Sequence, residues 1–155
     1  MQIGYQAIGS VSSSEGFSIR VSPEWRDGLI GLEGFSHLVV FWHSHQGGWD
    51  PAMLRVPRPY RKAPDELGIF ATRSPCRPNA ICQTVVPVSR INVAEGTISC
   101  HYIDAADGSP VLDIKPWLAC CERPAQPRSP DWCAHWPASI EESGRFDWAG
   151  EFLFG

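Results

Sequence analysis

The chain has 155 residues, with 13 Lys and Arg against 17 Asp and Glu, a formal charge of −4. Hydrophobic residues make up 43% and charged residues 19%, which excludes a chain disordered throughout. That length suits roughly one domain with its own core, and no apolar run approaches the ~20 residues of a membrane helix. The opening residues, MQIGYQAIGS, offer neither a basic flank nor an apolar stretch, so a cytoplasmic protein without a signal peptide is expected.

Gly and Pro contribute 14 residues each and fall between short apolar runs, which predicts an all-β, β-rich fold with many turns. Residues 3–9 and 16–21 read as a first strand pair, with Ser12 to Gly16 as the turn. Ser22-Pro23-Glu24 reads as the start of a helix, kept short by Gly28 and Gly31. His37 to Trp42 is β-branched and aromatic and predicts a central strand. The stretch 50–66 is Pro-rich and reads as a long surface loop, and Gly68 to Thr72 as a short strand. Ile81–Val93 and Thr97–Ile103 predict two strands joined by an Ala-Glu-Gly turn, and Asp107-Gly108 a turn before a strand at Pro110–Lys115. Residues 121–155 predict an irregular tail, with a short helix near 131–136. No repeat and no second domain is expected within 1–155.

Six cysteines occur at 76, 82, 100, 120, 121 and 133. None forms a Cys-x-x-Cys pair, and the expectation is buried free thiols rather than a disulfide framework or a zinc site. His43-Ser44-His45 places two imidazoles on one face of a continuing strand, but no third ligand stands nearby, so no metal is expected.

Charge is unevenly placed. Residues 55–77 carry Arg55, Arg58, Arg61, Lys62, Arg73 and Arg77 against Asp65 and Glu66, a local +4 that leaves −8 for the remainder. Such a basic loop on an acidic chain suits a focused anion site or a solvated loop. Asp104 and Asp107 flank a tight turn, either as ordinary turn residues or as carboxylates for the hydroxyls or amino group of a small ligand. Asp113 and Lys115 stand at i and i+2 and are placed to pair.

Three blocks carry a resemblance. They are Gly31-Leu-Glu-Gly-Phe-Ser-His-Leu38, Gly68-Ile-Phe-Ala-Thr-Arg-Ser-Pro-Cys-Arg-Pro-Asn79 and Asp107-Gly-Ser-Pro-Val-Leu-Asp-Ile-Lys-Pro-Trp117. In order and spacing they resemble the signature blocks of the TrmO family, also called TsaA-like or YaeB-like, over about residues 5–120. The resemblance implies a single-sheet β-barrel with a few short helices, a core at about 5–120 and an irregular extension at 121–155. It implies a homodimer that binds S-adenosyl-L-methionine and methylates N6 of threonylcarbamoyl-adenosine at tRNA position 37.

Carried over position by position, the cofactor contacts fall on Trp42, His43, Arg73, Ile81, Cys82, and Asp104, Ala105, Ala106 and Asp107. Arg73 suits a carboxylate, the aspartates an ammonium or ribose, and the Trp42 face an adenine or sulfonium. Methyl transfer is a direct displacement that rests on alignment, and His43 or His45 is the candidate base. Arg55, Arg58, Arg61, Lys62 and Arg77 are the expected tRNA contacts, with Tyr60 stacking on a base. The chain departs from the pattern in three places. Val11 to Arg20 lacks the usual Pro-Arg-Gln, Ala80 stands where the family has Pro, and Cys82 where it has Gly. Alternatives are the same fold acting on a small molecule, or a cofactor-binding module without catalysis.

Overall fold

A computed structural model describes residues 3–153, which form eight strands and several helical turns, none longer than seven residues. The all-β expectation holds. Two compact units emerge, one from residues up to Gly48 together with Asn79–Arg123, the other from Trp49–Pro78 and the residues from Pro124 onward.

In the first unit, six strands form an antiparallel ring. β1 (Gly9–Ser12), β2 (Ser18–Val21), β7 (Thr97–Cys100), β6 (Ile81–Asn92), β3 (His37–His43) and β8 (Pro110–Pro116) pair in that order, and β8 returns to β1. The period-two alternation of strands sorts the side chains. Leu38, Val40 and Trp42 of β3 enter a core with Val11, Ile19, Val86, Ile98 and Val111, so the interior is packed rather than hollow. Between Phe41 and Trp42 the pairing of β3 with β8 shifts register.

The ring has two ends. β3 runs antiparallel to both β6 and β8, so His43, Ile81 and Pro110 share one end with the Asp104–Ser109 turn. At the other end, Pro23–Leu29 forms a 3-10 helix with Leu29 buried in the core. The Ser22 hydroxyl does not cap it. α1 (Ala119–Glu122) follows β8.

The second unit contains a small hairpin, β4 (Arg55–Pro57) with β5 (Glu66–Gly68), and short turns of helix including α2 (Ile140–Ser143) and α3 (Trp148–Glu151). The expected 50–66 loop therefore holds a 3-10 turn, Pro51–Leu54, capped by the Asp50 carboxylate, and a strand. The strand expected at 68–72 ends at Gly68, because Thr72 turns back and donates both its amide and its hydroxyl to the Ile69 carbonyl. Near 131–136 the expected helix is a 3-10 turn, Asp131–Cys133.

Aromatic packing holds this unit together. Tyr60 is stacked 5.4 Å from Trp132 and meets Trp136 edge-on at 4.9 Å, while Trp148 stacks on Phe152 at 5.6 Å. Glu151 lies among these rings, 4% exposed, and accepts from Trp136 Nε1 at 3.1 Å beside His135 Nε2 at 3.0 Å. Burial pushes the Glu151 carboxyl up. The His135 and Trp136 hydrogen bonds, with the charges of His135 and Lys62, outweigh that and hold it below the usual range.

The cysteines differ from expectation. All six are free thiols, but only Cys100 is buried, and its pKa is pushed up to about 11 by that burial. Cys120 and Cys121 are exposed, within a run of exposed residues from 118 to 131.

Candidate functional site

The end of the ring where β3 finishes collects most of the residues singled out in the first unit. β3 stops at His43, and the chain turns as the buried Ser44 donates its amide to the Ala80 carbonyl at 2.9 Å. Ala80 adopts φ 45°, a left-handed conformation uncommon outside glycine. Position 80 therefore has a backbone that Pro, held near φ −65°, does not reach.

Breaking the strand after His43 separates the two imidazoles. His45 is exposed and its Nδ1 lies 3.3 Å from the hydroxyl of the buried Ser109. His43 stays half-buried on β3, opposite Ile81. Two histidines sharing one strand face is thus corrected to one at the strand end and one beside the 104–109 turn.

That turn is tied down from three sides. Gly108 takes φ 76°, and its amide donates to Val11 at 2.9 Å. The Ser109 amide donates to Ala106, also within the turn. Asp107 accepts from the Ser13 amide at 2.8 Å, bringing the β1–β2 turn alongside. Asp104 accepts from the Tyr102 hydroxyl, and burial, then the Asp104 charge and hydrogen bond, push that hydroxyl above its usual pKa. The carboxylates remain exposed, and among the described residues the Ala105 and Ala106 amides donate to no protein group. The rim thus offers two anionic acceptors and two unused donors within four residues.

Other expected cofactor residues sit differently. Trp42 is 7% exposed inside the ring core, and its indole N–H donates to Thr84 Oγ1 at 3.0 Å. Its ring is therefore a core element and offers no face to an adenine or sulfonium. Cys82 also packs against that core. Ile81 instead lines an outer groove of about 320 Å³ with Tyr5, Phe41 and Leu112. There Lys115 pairs with Asp113, as their spacing predicts, and its ammonium lies 5.8 Å from the Phe41 ring centre.

In the second unit, the basic loop is partly self-neutralised. Arg55 pairs with Glu66 and Arg58 with Asp65. Arg77 donates to the carbonyls of Thr72 and Ser74 at 3.3 and 3.4 Å, which keeps its charge. Arg61, Lys62 and Arg73 are exposed, with no carboxylate in salt-bridge range among the described residues. Tyr60 corrects its expectation: at 3% exposure it is core, with Trp132 stacked on it at 9° to its plane, and it presents no face to a base. What the sequence reading missed are Ser109, Ser13 and Tyr102, which hold or flank the turn. The Asp-Gly-Ser-Pro string held the only signal for Ser109.

A packed antiparallel ring with a polar rim at one end places the chain among small all-β domains. The model of the tRNA-methyltransferase O N-terminal domain matches residues 5–123, and the chain belongs to that family. It is 37% identical over 101 residues to a probable S-adenosyl-L-methionine-binding protein of Halobacterium salinarum, covering 65% of this chain and 75% of that one. It is 38% identical over 120 residues to the tRNA (adenine(37)-N6)-methyltransferase of Escherichia coli, covering 74% of this chain and 50% of that enzyme. A TrmO crystal structure from Pseudomonas aeruginosa aligns with TM-score 0.65 and 27% identity, over 83% of this chain and 62% of that one. The chain thus spans half the length of the Escherichia coli enzyme.

Proposed function

We propose that this chain binds S-adenosyl-L-methionine at the rim and methylates N6 of adenosine 37 in tRNA, the adenosine bearing a threonylcarbamoyl group. The observation that carries the reading is family membership over 5–123, with relatives named tRNA (adenine(37)-N6)-methyltransferase matching up to 74% of the chain. The rim's chemistry suits that cofactor. Carboxylates suit an ammonium and ribose hydroxyls, and amides without partners suit a carboxylate or adenine nitrogens.

Bound there, the cofactor supplies an electrophilic methyl group on a positively charged sulfur. Asp104 and Asp107 bind the cationic or hydroxylic parts, and the Ala105 and Ala106 amides donate to the acceptors. In the tautomer whose Nδ1 donates to Ser109, His45 Nε2 is the basic nitrogen, placed to hold the proton that the acceptor nitrogen gives up. His43 is the second candidate for that role. The apolar outer groove around Phe41 and Leu112 supports reading the chain as a homodimer, a mass that light scattering reads directly.

The test is calorimetry with S-adenosyl-L-methionine, followed by methyl transfer to tRNA lacking the modification, read as nucleoside masses. Saturable binding that Asp107→Ala weakens, and a methylated threonylcarbamoyl-adenosine, are expected. Binding without any methylated nucleoside favours the second reading, a cofactor-binding protein like the Halobacterium salinarum relative's name.

A further inference from the structure

The outer surface of the ring divides into two faces. Over β3, β8 and the start of β6 lies the apolar groove already described. Over β2, β7 and the end of β6, alternation turns Ile19, Ile98 and Ile91 inward. It leaves Ser18, Arg20, Arg90, Thr97 and Ser99 outside. Ser18 stands opposite Ser99 and Arg20 opposite Thr97 across one side of β7, and Arg90 opposite Ser99 across the other. Two strand spacings and two residues of rise separate the arginines by about 12 Å at their Cα atoms.

Residues 9–12, 18–21, 88–92 and 97–100 contain no Asp or Glu, in a chain that carries 17. The nearby acids, Glu15 and Glu95, stand in the turns rather than on the strands. Arg20 and Arg90 are exposed, and neither has a carboxylate within salt-bridge range among the described residues. A groove of about 310 Å³ lies between β2 and β7, lined by Ser12, Ser18, Arg20, Thr97 and Ser99, with Glu15 of the β1–β2 turn the one carboxylate in its lining. Past the end of β7 comes Tyr102, 52% exposed, propped edge-on by Phe17 at 5.4 Å and bonded to Asp104 of the rim.

Guanidinium and hydroxyl donors, here on strand segments that carry no carboxylate, are the groups that hold phosphate oxygens. On a chain of charge −4, a polyanion is drawn to stretches where cations outnumber acids, as they do on these strand segments. We propose that the β2–β7–β6 outer face holds the phosphodiester backbone of the RNA substrate and leads it to the rim. This rests on the tRNA reading above and adds to it a surface on the ring, separate from the basic loop of residues 55–77.

The experiment measures binding of labelled, unmodified tRNA by fluorescence anisotropy across a salt series. It compares the native chain, the double variant Arg20→Ala, Arg90→Ala and the control Arg128→Ala, with thermal melting to show that each is folded. The double variant loses affinity about tenfold, and its log–log salt slope shrinks by about 1.5 to 2, the yield of two lost phosphate contacts. Arg128→Ala leaves both unchanged. A double variant with native affinity and slope, or an equal loss in Arg128→Ala, overturns this surface while the tRNA reading stands. Native protein that binds no tRNA overturns both.

Discussion

Single residues show how far side-chain chemistry predicts environment. Tyr60, in an Arg-rich loop, reads as a surface aromatic until Trp132 and Trp136, more than 70 residues on, cover it. Trp42 reads as a binding aromatic by the family pattern, yet strand alternation with Leu38 and Val40 already turns it inward, a reading the alternation supported and the motif displaced. Glu151 carried no signal, since a lone acid near a terminus is ordinarily solvated. Its burial gives it a pH signature. Because the folded pKa is depressed, its contribution to stability is full above the ordinary glutamate value of about 4.3 and drains as pH falls through the lower folded value. Glu151→Gln keeps an oxygen for Trp136 but lacks the charge for His135, so a loss of about 1–2 kcal/mol is expected at pH 7. Urea unfolding followed by tryptophan fluorescence then shows the gap between native and variant closing as pH drops below about 4. A gap that stays constant into acid means the charge is not what stabilises the cluster.

At the scale of elements, the long strands were legible at both ends, while β2 and β7 were placed but drawn too long and β1 was misplaced. β3, β6 and β8 have enough β-branched residues in a row for periodicity to locate them within a residue or two. β1 was expected at 3–9 and lies at Gly9–Ser12, because its extent is set by pairing partners rather than by its own propensity. Gly9 marks the reason. A Cβ there would overlap the Arg20 carbonyl on the adjacent strand, so only glycine permits the approach. Gly9→Ala is expected to cost about 1–3 kcal/mol by forcing β1 from β2. Hydrogen exchange localises the effect: amides of β1 and β2 lose protection, and those of the β3–β6 pair keep more of theirs. Uniform loss across the ring would show instead that the strands open as one unit. The rim turn was half legible, its Asp-Gly string announcing a turn while the ties from Ser13 and Val11 came only with the ring's closure.

For the whole molecule, net charge is a poor guide to what the surface attracts, because charge is partitioned. The 55–77 loop carries six cations, and its two acids are spent on Arg55 and Arg58. The four that remain, Arg61, Lys62, Arg73 and Arg77, equal the loop's net +4. Arg58, one of the expected tRNA contacts, is therefore a weak probe, since reversing it also strands Asp65. Exposed Arg61 and Lys62 are better ones. If the loop contacts RNA, Arg61→Glu with Lys62→Glu lowers tRNA affinity about tenfold or more and flattens its salt dependence by about 2, leaving cofactor affinity intact. Anisotropy titrations over a salt series, beside calorimetry with S-adenosyl-L-methionine, read both quantities. Lost tRNA affinity with an unchanged slope would mean that the substitutions act through the fold of the second unit. A reversal that changes neither assigns the loop's charge to solvation.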